Sequence, residues 1–89
     1  MSIAQRMMDS CKSKKVGLQV VRCHCGITLT DDEWNKAGTT DDERRANVLA
    51  EAKMACLAGC GCQGRPSLTE TGGKRSVSST CVSDPTTHD

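Results

Sequence analysis

The spacing of apolar residues near the N-terminus predicts a short helix over residues 2–11. Ile3, Met7 and Cys11 recur at intervals of four residues, which places them on one face of a helix. The next four residues, 12–15, are lysines and a serine. We interpret this run as a polar break between elements.

Two short strands are predicted after the break. Residues 16–22 alternate apolar and polar side chains and are rich in β-branched residues, and residues 27–29 alternate again. Between them stands Cys-His-Cys-Gly at 23–26, which a tight metal-binding turn would explain. This strand, knuckle and strand resembles the first half of a zinc-ribbon or treble-clef module over about a dozen residues.

Two identical Thr-Asp-Asp-Glu segments predict two helices. Thr30 and Thr40 each precede a glutamate by three residues, which is the pattern of a capping box. The first box opens a short helix over 31–37, and the second opens the longest element, a helix over 41–58. Since helix initiation accounts for all six carboxylates of the two segments, we do not assign them to a calcium or magnesium site.

The C-terminal part of the chain is polar and rich in serine and threonine, so we divide the chain into a domain at 1–64 and a segment at 65–89. Within that segment, a Gly72–Gly73 pair between two runs with strand character predicts a β-hairpin that would have to dock on the body. Residues 83–89 are expected to be loose.

The composition leaves little material for a hydrophobic core. The chain has 89 residues, no phenylalanine, no tyrosine and one tryptophan. Small domains with so lean a core usually depend on a metal, disulfides or a partner chain. We therefore expect a small α+β domain stabilised by zinc, with a β-knuckle, a short helix, a long helix and a C-terminal hairpin.

Seven cysteines carry the candidate chemistry. Cys23 and Cys25 form one Cys-x-Cys pair, and Cys60 and Cys62 form another after the long helix. Four thiolates from two such pairs suit a closed structural zinc site, so these four are the predicted ligands. Two further residues are held in reserve: Cys56, which lies one helical turn before Cys60, and His24.

The competing interpretation is a disulfide framework. An odd number of cysteines and an N-terminus without an apolar signal segment favour reduced thiols and an intracellular, cytoplasmic location. No stretch approaches the length of a membrane-spanning helix. The sequence does not assign Cys11, Cys56 and Cys81 to metal, buried thiol or disulfide.

The candidate residues favour binding over catalysis. A closed thiolate site has no open position for substrate, and the sequence offers no catalytic constellation, so we predict a non-enzymatic zinc-binding module that regulates or inhibits a larger complex through a protein partner. One alternative is a zinc-dependent nucleic-acid-binding protein, with Lys12, Lys14, Lys15 and Arg22 as candidate contacts. Another is a thiol-based metal- or redox-handling protein.

Overall fold

A four-stranded antiparallel sheet forms the body of the protein, with strands in the order β1–β2–β4–β3. The computed structural model describes residues 2–61 and 63–82. The fold class is a small α+β protein, as the sequence predicts. The elements in chain order are α1 Ile3–Ser10, β1 Lys12–Val16, β2 Gln19–Leu29, α2 Asp31–Lys36, α3 Asp41–Cys60, β3 Arg65–Thr71 and β4 Lys74–Val82.

The N-terminal part of the sheet is a hairpin that the sequence analysis did not predict. The expected polar break at 12–15 is instead strand β1, and the expected strand at 16–22 contains the turn between β1 and β2. Gly17 has a φ of 64°, the left-handed conformation that glycine adopts at little cost. As a result Val16 and Leu18 are exposed at the tip of the hairpin.

The predicted knuckle at 23–26 is also wrong, because these residues lie inside one continuous strand. Strand β2 runs without interruption from Gln19 to Leu29, and Gly26 does not adopt a positive φ. Strand alternation then places Cys23 and Cys25 on the same buried face, while His24 faces the other side.

The C-terminal hairpin is confirmed. Strands β3 and β4 pair from Arg65–Thr80 to Thr71–Lys74 around the Gly72–Gly73 turn. Strand β4 also pairs antiparallel with β2 over eight residues, so this hairpin completes the sheet. The expectation for residues 83–89 concerns a segment outside the described residues.

The helices begin where the capping residues predict. Thr30 and Glu33 form a reciprocal capping box at the start of α2. At the start of α3 the Thr40 hydroxyl accepts from the amide of Glu43, but the Glu43 carboxylate accepts from the hydroxyl of Thr39. The long helix extends to Cys60, two residues beyond its predicted end.

The core lies between the helices and one face of the sheet. Ile3 and Met7 of α1 contribute to it, together with the buried face of α3 and the inward residues of β2 and β4. Among the described residues no helix has the length and apolar character needed to cross a membrane.

Candidate metal and disulfide centre

Strand β2 supplies the two central cysteines of the site. Cys23 and Cys25 are completely buried, and alternation places both on the helix side of the sheet. Across the neighbouring strand β4, Cys81 lies opposite Cys23 and Ser79 lies opposite Cys25. The sheet therefore provides a flat base on which sulfur atoms from three strand positions gather.

The helices bring three more cysteines to this base. Cys56 and Cys60 are one turn apart on α3, and Cys11 is the residue that caps the C-terminal end of α1. Cys56 is fully buried, whereas Cys11 and Cys60 are half-buried. The centre therefore extends from the core to the surface.

Two disulfides join these elements. Cys11 bonds to Cys25, which ties the end of α1 to β2, and Cys23 bonds to Cys60, which ties β2 to the end of α3. Cys81 is also a disulfide cysteine. The Cys11–Cys25 and Cys23–Cys60 bonds thus tie to β2 the two helices that pack on it, α1 and α3.

Cys56 is a free buried thiol beside one of these bonds. Its Sγ lies 3.5 Å from the Sγ of Cys25 and 3.7 Å from the carbonyl oxygen of Ser79, to which it donates. A reduced sulfur therefore lies in contact with a sulfur that is already bonded to Cys11.

The same sulfur atoms form two groups that could hold a metal ion. One group is Cys11, Cys23 and Cys60, the other is Cys23, Cys25 and Cys56, and within each group the sulfurs lie within 4.8 Å of one another. Cys23 belongs to both groups. The geometry is therefore compatible with metal binding by reduced thiols and with disulfide bonding after oxidation.

Glycines make room for the sulfur atoms. A Cβ on Gly59 would lie 3.0 Å from the Sγ of Cys11, so a side chain there would press against that sulfur. Gly64 is more constrained, because a Cβ there would overlap Ser79 and lie 2.9 Å from the Cβ of Cys56. These two positions allow the backbone to approach the centre closely.

Of the four ligands predicted from sequence, the structure brings Cys23, Cys25 and Cys60 to one place, while Cys62 lies outside the described residues. Cys56, held in reserve, lies within the same cluster. His24 lies on the opposite face of the sheet, where its Nδ1 is 3.0 Å from the hydroxyl of Thr80. The histidine is therefore separated from the sulfur centre by the strand backbone.

Cys11 is a member of the centre that the sequence analysis did not place. Lys12 pairs with His24, and extending that antiparallel register by one residue puts Cys11 beside Cys25. The sequence could have predicted the contact between Cys11 and Cys25 only if residues 12–15 had been recognised as a strand. Their lysine-rich composition lacks the apolar alternation by which strands are recognised.

The candidate nucleic-acid contacts lie on the hairpin of β1 and β2. Lys12, Lys14, Lys15 and Arg22 are all exposed, and Lys14 pairs directly with Arg22. A register shift between Lys14 and Lys15 separates Lys15 from the regular alternation of the other three.

Comparison with known proteins adds no relative to this description: no protein-family model matches the chain, and no curated protein or solved structure matches it significantly.

Proposed function

We propose that this protein is a small non-enzymatic module whose reduced cysteine cluster binds zinc, and that it acts by contacting a larger partner. The observation that carries the proposal is the position of Cys23 in both groups of sulfur atoms that could hold a metal ion. Thiolates gathered within 4.8 Å of one another suit the tetrahedral geometry of a structural zinc site.

The proposed ligands are Cys23, Cys25, Cys56 and Cys60. The first three form one of the two groups, and Cys60 lies next to Cys23. Cys62, the fourth ligand predicted from sequence, remains an alternative to Cys56. Four thiolates would close the coordination shell, which supports a structural role and argues against an open catalytic position.

The proposal includes a reducing location such as the cytoplasm, because thiolates persist there and can bind metal. In an oxidising setting the same sulfurs would be held as the Cys11–Cys25 and Cys23–Cys60 disulfides. Metal binding and disulfide formation are then alternative states of a single centre.

A protein partner is part of this proposal. Val16 and Leu18, at the tip of the first hairpin, are 63% and 103% exposed although both side chains are apolar. Covering such side chains with a partner would contribute roughly 1.5–3 kcal/mol each. The lean composition of the chain also favours a protein that completes its apolar contacts on another molecule.

A second candidate function, thiol redox handling, is favoured by the contact between Cys56 and Cys25. The Cys56 thiolate would attack the Cys25 sulfur, forming a Cys56–Cys25 bond and breaking the Cys25–Cys11 bond. The proton lost by Cys56 would end on the released Cys11 thiolate, so the exchange needs no external oxidant. The result would move a free thiol from the core to a half-buried position.

One experiment separates the two functions. The protein is fully reduced without oxygen, zinc is added, and native mass spectrometry measures the bound metal, while cobalt in place of zinc reports thiolate ligands by its charge-transfer absorption. We expect one zinc per chain, loss of that zinc in Cys23→Ser, and retention in Cys81→Ser, since Cys81 belongs to neither group.

Zinc-free reduced protein, or full zinc content in Cys23→Ser, contradicts the zinc proposal. The oxidised protein is alkylated in the same experiment and its labelled cysteines are mapped. Label shared between Cys11 and Cys56 supports thiol exchange, provided that label on Cys11 disappears when Cys56 is replaced by serine. Label found on Cys56 alone contradicts it.

A further inference from the structure

The face of the sheet turned away from the helices carries an unusual distribution of charge. Residues paired across neighbouring strands share a face, so the register defines which side chains lie together. Lys12, His24, Thr80 and Arg65 form one row across all four strands. Because the neighbouring cysteines point into the core, this row points outward. We call this side the outer sheet face.

The outer sheet face has cations and no carboxylate. Its positively charged residues are Lys12, Lys14, Arg22, Arg65 and Lys74. Glu70 is the one acidic residue in the four described strands, and it turns to the helix side, where its carboxylate accepts from Arg45 of α3 at 3.0 Å. The net charge of +1 therefore conceals a separation of charge between the two sides of the sheet.

The cations of the outer sheet face also lack ion-pair partners within the described part of the chain, in contrast to the arginines on the helix side. Arg6 pairs with Glu33, Arg44 pairs with Asp41, and Arg45 and Arg75 both pair with Glu70. The carboxylates of these ion pairs thus lie on the helix side. The charge on the outer sheet face is left available to an external anion.

Hydroxyl groups cover much of the rest of this face, beside one exposed apolar side chain, Val82, which pairs with Arg22. The outward positions next to the charged rows are all serine, threonine or glycine: Gly26, Ser78 and Ser67 in one row, and Thr28, Ser76 and Thr69 in the next. Gly26 leaves a shallow depression between β2 and β4. Lysine and arginine with serine and threonine hydroxyls are the side chains that contact phosphate and sugar in nucleic-acid complexes.

We propose that the outer sheet face binds nucleic acid through its phosphate backbone. The chain has no phenylalanine or tyrosine, and its one tryptophan, Trp34, is buried on the other side of the sheet beneath Arg75, so the imidazole of His24 is the one aromatic ring among the described residues of this face. Contact with phosphates alone predicts binding without sequence preference and with a strong dependence on salt. The inference uses no cysteine, so it is independent of the proposed zinc site.

The test is fluorescence anisotropy with a labelled DNA duplex of about 20 base pairs and the matching single strand, from about 50 to about 200 mM salt. Four phosphate contacts would give a slope of about −3.6 in log K against log salt, a loss of roughly a hundredfold over this range. At the higher salt concentration we expect a dissociation constant on the order of 10⁻⁴ to 10⁻⁶ M.

A matched pair of double variants assigns the binding to the face. Lys14→Gln with Arg22→Gln removes two cations from the outer sheet face, and Lys36→Gln with Lys53→Gln removes two exposed cations from the helices. The first variant should bind roughly tenfold more weakly at low salt, with a slope shallower by about 1.8, and the second should stay within about twofold of the original protein.

Circular dichroism first establishes that both variants are folded. Equal weakening by both would mean that binding follows overall charge, and it would overturn the proposal. Absence of binding at low salt would overturn it as well. Competition by poly-glutamate as effective as competition by DNA at equal charge would assign the face to an acidic protein and reject nucleic acid.

Discussion

Glu33 and Glu51 line the same surface cleft, but their negative charges affect the stability of the fold in opposite directions. Burial raises the pKa of Glu51. Burial also acts to raise the pKa of Glu33, but the hydrogen bond from the Thr30 amide and the bond and charge of Arg6 outweigh it, so the pKa of Glu33 is lowered. At neutral pH the Glu51 charge therefore opposes folding, while the Glu33 charge supports it.

Replacing Glu51 by glutamine should raise Tm slightly at pH 7, because the substitution removes a charge that burial disfavours, while solvent screening of this partly exposed group keeps the gain small. A raised carboxyl pKa means that the original protein loses this penalty as pH falls through the folded-state value. Thermal melts of both proteins from neutral to acidic pH should therefore converge at the acidic end. A variant that melts below the original protein at pH 7 would contradict this account.

At the scale of the element, identical sequences open two helices but build different caps. The Glu33 carboxylate accepts from the Thr30 amide at 2.9 Å and also binds Arg6 of α1. The Glu43 carboxylate instead accepts from the hydroxyl of Thr39 at 3.1 Å on the exposed surface. The pattern predicts where each helix begins, but the neighbouring element decides what the glutamate does.

Glu33→Ala should therefore cost about 1–2 kcal/mol in the free energy of unfolding, because it removes the bonds of a charged group to the Thr30 amide and to Arg6, and Glu43→Ala, which removes one exposed hydrogen bond, should cost less than about 0.5 kcal/mol. Urea denaturation at pH 7 measures both. The pKa of Glu33 is lowered by folding, so its charge stabilises the protein above the ordinary carboxyl pKa, and this stabilisation is lost as pH falls through the pKa of the folded state. The difference in unfolding free energy between the two variants should therefore shrink in acid. Equal costs at pH 7 would show that the reciprocal cap and the link to α1 contribute nothing.

At the scale of the whole molecule, the sulfur centre links the elements that the small core holds only weakly. The Cys11–Cys25 disulfide closes a loop of 14 residues and the Cys23–Cys60 disulfide closes one of 37. Chain entropy alone assigns them about 3 and about 4 kcal/mol, although the two loops overlap and the contributions need not add. Total stabilities of small domains are about 5–15 kcal/mol, so these bonds account for a large share.

Reduction without metal should consequently lower the melting temperature by more than about 15 °C or unfold the protein outright, because these two loop constraints and the disulfide of Cys81 are lost together. Adding zinc to the reduced protein should restore a cooperative melt, since metal binding to the folded state adds to its stability. Circular dichroism melts of oxidised, reduced, and reduced zinc-loaded protein make the comparison. An unchanged melt after complete reduction would show that the hydrophobic core suffices without the sulfur centre.

The start of each helix and the hairpin at Gly72–Gly73 could be predicted from sequence because they depend on a few neighbouring residues. A threonine cap or a pair of glycines acts on the backbone within about four positions. The first hairpin was missed for a related reason: Gly17 provides the turn, but the lysines that precede it carry no apolar alternation that would mark strand β1. Strand β1 is held in place by its backbone pairing with β2, because its own side chains are all exposed.

The sequence by itself determined the helices, the second hairpin and the set of cysteines from which a centre could be built. Only the tertiary structure decided which of those cysteines meet, because Cys11 reaches Cys25 through strand register and Cys60 reaches Cys23 through the packing of α3 on the sheet. The separation of charge has the same origin. Alternation turns Lys14 and Arg22 outward together, and strand pairing, which no single segment encodes, places them side by side.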